Sequence, residues 1–131
     1  MLKRKSFTLI ELLVVITIIG VLGVLSFSGF GGSREGALDK DAKANLAFIQ
    51  EGEKFYKMES GSYYPSSGNT SVIADINTNL RISLPTDTLS WSYNVDKNNT
   101  RATASRLPSS SRVWTLNFTG NAATCTGTAC Y

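Results

Sequence analysis

Lys3-Arg4-Lys5-Ser6-Phe7-Thr8-Leu9-Ile10-Glu11-Leu12-Leu13-Val14-Val15-Ile16 sets a cationic tip against an apolar run that holds a single acid. Fourteen of the nineteen residues over 7–25 are large and apolar, and no charge follows Glu11 until Arg34. An ionised side chain at the centre of a spanning helix costs roughly 2.5–3.5 kcal/mol, so an acid near one end of such a run asks for a partner. Nineteen helical residues rise about 28 Å, close to the thickness of a bilayer core. The cationic tip would then stay in the cytoplasm.

A basic tip before an apolar run also describes an ordinary secretory signal peptide, here with a cut after Ser26-Phe27-Ser28, or a plain membrane anchor. Ordinary signal-peptide cores are uncharged and about 7–15 residues long, whereas this run is longer and holds an acid near its start. The sequence from Lys5 to Ile16 resembles the processing site and first helix of type IV pilins and their pseudopilin relatives. The resemblance covers the first thirty residues or so.

That resemblance implies an α+β, pilin-like fold: a long N-terminal apolar helix continuing into an amphipathic helix packed on a small antiparallel β-sheet. Residues 1–6 would be a cytoplasmic basic leader, 7–32 a transmembrane and filament-core helix with a glycine-rich break, and 33–131 the soluble domain. Prepilin peptidase, a membrane aspartic peptidase, would cut between Ser6 and Phe7 and N-methylate Phe7, leaving the apolar helix in place. The family generally has glycine where this chain has Ser6, and many pilins place a helix-kinking proline where it has Ser28. The resemblance further implies a precursor in the bacterial inner membrane, extracted by a platform protein and a cytoplasmic motor into a homo-oligomeric helical filament, extracellular or periplasmic.

Removal of the leader would create an amine on Phe7, four residues from the Glu11 carboxylate. In a filament each Glu11 would meet the amine of an adjacent subunit. A lone carboxylate in hydrocarbon tends to neutralise while a partnered one stays charged, so correct stagger is rewarded. The alternative places Glu11 at headgroup level, paired with Lys5 or water.

The chain has 131 residues and a formal net charge of +3, an excess that lies wholly in Lys3, Arg4 and Lys5. From Phe7 onward acids and bases balance, so no basic excess supports DNA binding, and nucleic acid is not expected as a partner. Histidine is absent, which removes Ser-His and Cys-His nucleophile pairs and His-containing zinc motifs. No catalytic residue, metal or cofactor is expected. Cys125 and Cys130 in an exported domain most simply form a disulfide, worth roughly 2 kcal/mol on the chain-entropy model; two free thiols are the alternative.

Farther along, Gly20 and Gly23 would let another helix approach, or pack weakly against lipid. Gly29, Gly31 and Gly32 mark a loosening point, and Ser33 a possible cap for a restarted helix. Leu38, Ala42, Leu46, Ile49 and Tyr56 recur at helical spacing, with Phe48 and Phe55 read as widening the stripe; the mixed charges opposite favour packing on a sheet over binding a membrane surface. Gly61 and Pro65 end that helix, and 60–71 reads as a polar loop. Residues 72–84 read as a loop with at most a short helical turn. Three strands follow, over 91–95, 101–107 and 114–118, joined by Asp96-Lys97-Asn98-Asn99 and Pro108-Ser109-Ser110-Ser111. The aromatic face of Trp91, Tyr93, Trp114 and Phe118 reads as the surface that meets the helix, and less readily as a nucleic-acid stacking platform, since no basic groove accompanies it.

The function expected is a structural subunit of a type IV pilus-like filament. The alternative is a pseudopilin of a type II secretion system; major pseudopilins commonly carry a calcium site near the C-terminus, and after Asp75 this chain has only Asp87 and Asp96 for one. A membrane-anchored enzyme finds no motif. Three Asn-x-Ser/Thr patterns, at Asn69, Asn98 and Asn117, are assigned no function.

Overall fold

The computed structural model describes residues 7–27, 30–86 and 90–130, with the backbone alone at 25–27, 30 and 31. The leader over 1–6, including Ser6, and the positions Ser28 and Gly29 lie outside the described residues. The chain divides into two compact units, Met1–Ala37 and Leu38–Tyr131.

In the first unit, α1 spans Leu9–Phe27. Its leucine, isoleucine and valine side chains are exposed along the helix, from Leu9 at 84% to Val24 at 74%. No helix among the described residues is long and apolar enough to cross a membrane, so the transmembrane helix expected over 7–32 is not established by the fold. The second helix, α2, runs through Phe30–Ser60. Gly31 and Gly32 therefore lie in the first turn of α2, Gly29 lies outside the described residues, and Ser33 lies within that turn rather than at the cap. A glycine costs a helix only about 1 kcal/mol and blocks nothing sterically, so the strong helix formers that follow Ser33 carry the helix back through it.

In the second unit α2 buries Ala42, Leu46 and Ile49 completely against the sheet, with Leu38 and Tyr56 partly covered. Phe48 and Phe55, expected to widen this stripe, are instead exposed at 58% and 46%. At about 100° per residue they fall roughly 120–140° from Ala42, while Glu53 falls about 20° from it, and Glu53 is the residue that is buried. Where a loop with at most a short helical turn was expected over 72–84, α3 spans Ile73–Leu80 and buries Ile76 and Leu80. It ends at Arg81 in the left-handed conformation, and the Asn77 side chain closes the turn after it by bonding both the N–H and the carbonyl of Leu84. Leu80 meets α2 at Gly52, where an added Cβ would lie 2.9 Å from the Leu80 Cβ.

Among the described residues the sheet has five antiparallel strands in chain order where three were expected: β1 Asn69–Thr70, β2 Trp91–Asp96, β3 Arg101–Arg106, β4 Arg112–Asn117 and β5 Thr124–Gly127. The expected meander is its centre. The two added edges are a two-residue strand and the polar stretch Thr-Cys-Thr-Gly, neither of which carries an alternating apolar signal. Register places Tyr93 opposite Ala104, Ala104 opposite Trp114, and Trp114 opposite Cys125. The small side chains of Ala102 and Ala104 on the central strand leave room for the helix between the large residues of β2 and β4. Cys125 and Cys130 are joined in a disulfide with their Cα atoms 5.9 Å apart, tying the end of the chain to β5.

Candidate assembly site at the start of the first helix

Thr8 directly precedes α1, and Glu11 is the third residue inside it. The Thr8 Oγ1 accepts from the Glu11 N–H at 3.3 Å, while Glu11 Oε2 accepts from the Thr8 N–H at 3.5 Å and from its hydroxyl at 3.3 Å. This reciprocal pair satisfies backbone N–H groups that an α-helix leaves open at its start, and the carboxylate sits where the helix dipole favours negative charge. The pattern Thr-x-x-Glu before an apolar run is legible in the sequence as a capping signature, so Glu11 has a duty to its own helix besides the one expected toward a neighbour. Both Glu11 and Phe7, which is 72% exposed, remain open to other molecules. Ser6, the other half of the expected cleavage site, lies outside the described residues.

Residues 1–27 match the family model for the prokaryotic N-terminal methylation motif. The chain carries that motif. It is the hallmark of type IV pilins and pseudopilins, and it supports a pilin-like or pseudopilin precursor whose motif implies processing by prepilin peptidase and assembly into pili or pseudopili. No curated protein and no solved structure matches the chain. The match ends at residue 27, so the second unit has to be read from its own geometry.

In that unit the aromatic face expected to meet the helix does so: Trp91, Tyr93, Trp114 and Phe118 are all at most 8% exposed and belong to the core with Leu46 and Ile49. Rings so covered cannot stack on bases, which removes the nucleic-acid platform. Each polar tip that is paired reaches α2. The Trp114 Nε1 donates to Asp39 Oδ1 at 3.1 Å, and the Tyr93 hydroxyl accepts from Asn45 Nδ2 at 2.7 Å. Arg112 Nε also lies 3.1 Å from Asp39 Oδ1, an ion pair by distance, and Arg112 is only 3% exposed. The Gln50 Nε2 donates to the carbonyls of Asn117 and Gly120 at 2.8 and 2.7 Å, with Phe118 O farther away at 3.4 Å. Asp39, Asn45 and Gln50 flank the apolar stripe, so their helical positions were readable; their partners on the sheet were not.

Glu53 stands apart from these pairs. It is fully buried at the centre of the stripe, its Oε2 accepts the Tyr64 N–H at 2.9 Å, and Oε1 has no hydrogen-bond partner among the described residues. Burial pushes its carboxyl up from 4.5 to about 7, only partly opposed by the Tyr64 N–H. Among the described residues, no cluster of three or more His, Cys, Asp or Glu side chains is placed to hold a metal ion. A cavity of about 180 Å³ between α2 and β2, lined by Asp41, Asn45, Trp91 and Tyr93 among others, brings together no nucleophile with a base.

Proposed function

We propose that this chain is a structural subunit of a type IV pilus-like filament, cut between Ser6 and Phe7, N-methylated on Phe7, and assembled through α1. The observation that carries the reading is the N-terminal methylation motif over residues 1–27, on a helix whose apolar side chains are exposed among the described residues. Uncovered apolar surface on that scale calls for lipid or protein around it, and on this reading α1 has lipid before assembly and copies of itself afterwards. Gly20 and Gly23 face open space, and the lack of a side chain at each lets another helix come close. Glu11, exposed in the first turn, sets the stagger by pairing with the Phe7 amine of a neighbour while its Oε2 continues to cap α1. The Cys125–Cys130 disulfide and the shortage of acids after Asp75 favour a pilus over a pseudopilus.

Shearing surface filaments from cells and weighing their principal protein tests the reading. The expected mass is that of a chain starting at Phe7 with one added methyl. A chain starting at Gly29 would make the N-terminus an ordinary signal peptide and overturn the proposal. Glu11→Val, expressed as the only copy, is expected to be inserted and cleaved but to give few filaments by electron microscopy; filaments at normal number and length would show that Glu11 does not set register.

A further inference from the structure

We propose that Asn98, at the tip of the hairpin between β2 and β3, is the acceptor of an N-linked glycan transferred from an oligosaccharide carried on a polyisoprenyl diphosphate. The modification presupposes the exported precursor proposed above, since the second unit must meet the membrane-held carrier on the outer side.

The acceptor pattern Asn-x-Ser/Thr occurs at Asn69, Asn98 and Asn117, and the fold treats the three differently. Asn117 ends β4 opposite Arg101, and the residue between it and Thr119 is Phe118, 1% exposed in the core. Drawing that triplet into an enzyme's cleft would pull Phe118 out of the core and forfeit its burial. Asn69 belongs to β1, paired with Asp96, and its neighbour Thr70 is paired with Val95 and accepts the Val72 N–H at 3.3 Å. Presenting Asn69 would undo a strand that is only two residues long. Asn98, Asn99 and Thr100 lie between the strands, outside the ladder, and all three are exposed.

The turn is also built without the groups that the transfer needs. Asp96 Oδ1 accepts the N–H groups of Asn98 and Asn99 at 3.0 and 3.2 Å, and its Oδ2 accepts from the Asn99 side chain. The Thr100 N–H donates to Lys97 O at 3.1 Å, and Thr100 O accepts the Phe118 N–H at 2.9 Å. These two bonds hold Thr100 in the left-handed region at φ 47°, where a β-branched residue is rare. Among the described residues, neither Asn98 Nδ2 nor the Thr100 hydroxyl makes a hydrogen bond. The nucleophilic nitrogen and the hydroxyl two residues on are therefore both free on one preformed turn.

In the transfer a bond forms between Asn98 Nδ2 and the anomeric carbon of the first sugar. The bond from that carbon to the diphosphate oxygen breaks, one Nδ2 proton passes to buffer, and the polyisoprenyl diphosphate leaves with the bonding electrons. No redox partner is needed. The product keeps every bond that shapes the hairpin, and the bulky glycan stands in solvent beyond the end of the sheet.

Mass spectrometry of the full chain extracted from its own cells, intact and after chymotrypsin with electron-transfer fragmentation, tests the site. The peptide holding Asn98 is expected to carry an added mass that resolves into sugar residues, placed on Asn98 by its fragments, while the peptides holding Asn69 and Asn117 carry none. Asn98→Gln and Thr100→Ala should each lose the addition, and Thr100→Ser, which keeps the hydroxyl, should retain it. An unmodified Asn98 in the natural chain, sugar on Asn69, Asn117 or a serine or threonine instead, or an addition that survives Thr100→Ala would each overturn the proposal. The start of the chain is read from the same sample. A chain starting at Gly29 would overturn the filament reading and leave the Asn98 peptide to decide the glycan by itself.

Discussion

Replacing Gln50 with leucine keeps the size of the side chain and removes the amide that joins α2 to the end of β4. Gln50 is 8% exposed, and its Nε2 donates two short bonds, to Asn117 O at 2.8 Å and Gly120 O at 2.7 Å. A net hydrogen bond is worth about 1 kcal/mol, and a carbonyl left buried without a donor adds a further penalty of about 1–3 kcal/mol. The Asn117 carbonyl keeps a second donor in the Gly120 N–H at 3.0 Å, so the carbonyl of the half-buried Gly120 is the one that loses its donor, which places the penalty at the low end of that range. Leucine returns part of this through added apolar burial, leaving an expected loss of about 2–3 kcal/mol, or about 10–20 °C in Tm for a unit of this size. Thermal melts followed by tryptophan fluorescence read this unit alone, because both tryptophans, Trp91 and Trp114, lie in its sheet. Phe48→Ser, at a side chain 58% exposed, is the control and should shift stability by no more than about 0.5 kcal/mol. A Gln50→Leu loss under about 0.5 kcal/mol, or a Phe48→Ser loss as large as the expected Gln50 effect, would refute the assignment of helix faces.

Glu53 holds its proton more tightly in the folded state, so stability is greatest below its ordinary pKa of 4.5, falls as pH rises toward about 7, and is level above that. The span amounts to about 3 kcal/mol, and denaturant midpoints of Glu53→Gln should lose most of this slope and exceed the natural chain at pH 8; an unchanged slope would assign the pH dependence elsewhere. Gly52→Ala would gain about 1 kcal/mol by helix propensity alone, yet its Cβ would crowd Leu80 at 2.9 Å, so a net loss near 1 kcal/mol is expected by urea unfolding. A gain would mean that α3 has room to shift. Cys125→Ser should lower stability by roughly 2 kcal/mol by opening the loop to Cys130, and thiol labelling of the natural exported chain should find neither cysteine without reductant.

The fixed spacing of apolar side chains along a helix or strand is a local property, and what followed from it was readable in the sequence. Ala42, Leu46 and Ile49 announce a buried face of α2, the central strands alternate, and Thr8 with Glu11 spells a cap before an apolar run. The same wheel also put Glu53 on the buried face and Phe48 and Phe55 off it. Hydrophobicity alone points the other way, since phenylalanines favour a buried face and an acid does not. Other features have no local signature at all. β1 and β5 are strands because Asp96 and Arg112 lie beside them, and α3 buries Leu80 because Gly52 leaves a space on a helix earlier in the chain. Likewise the sequence names Glu53 but not the Tyr64 N–H that meets it. A charge's surroundings are set by segments distant in the chain, and only the folded packing brings them together.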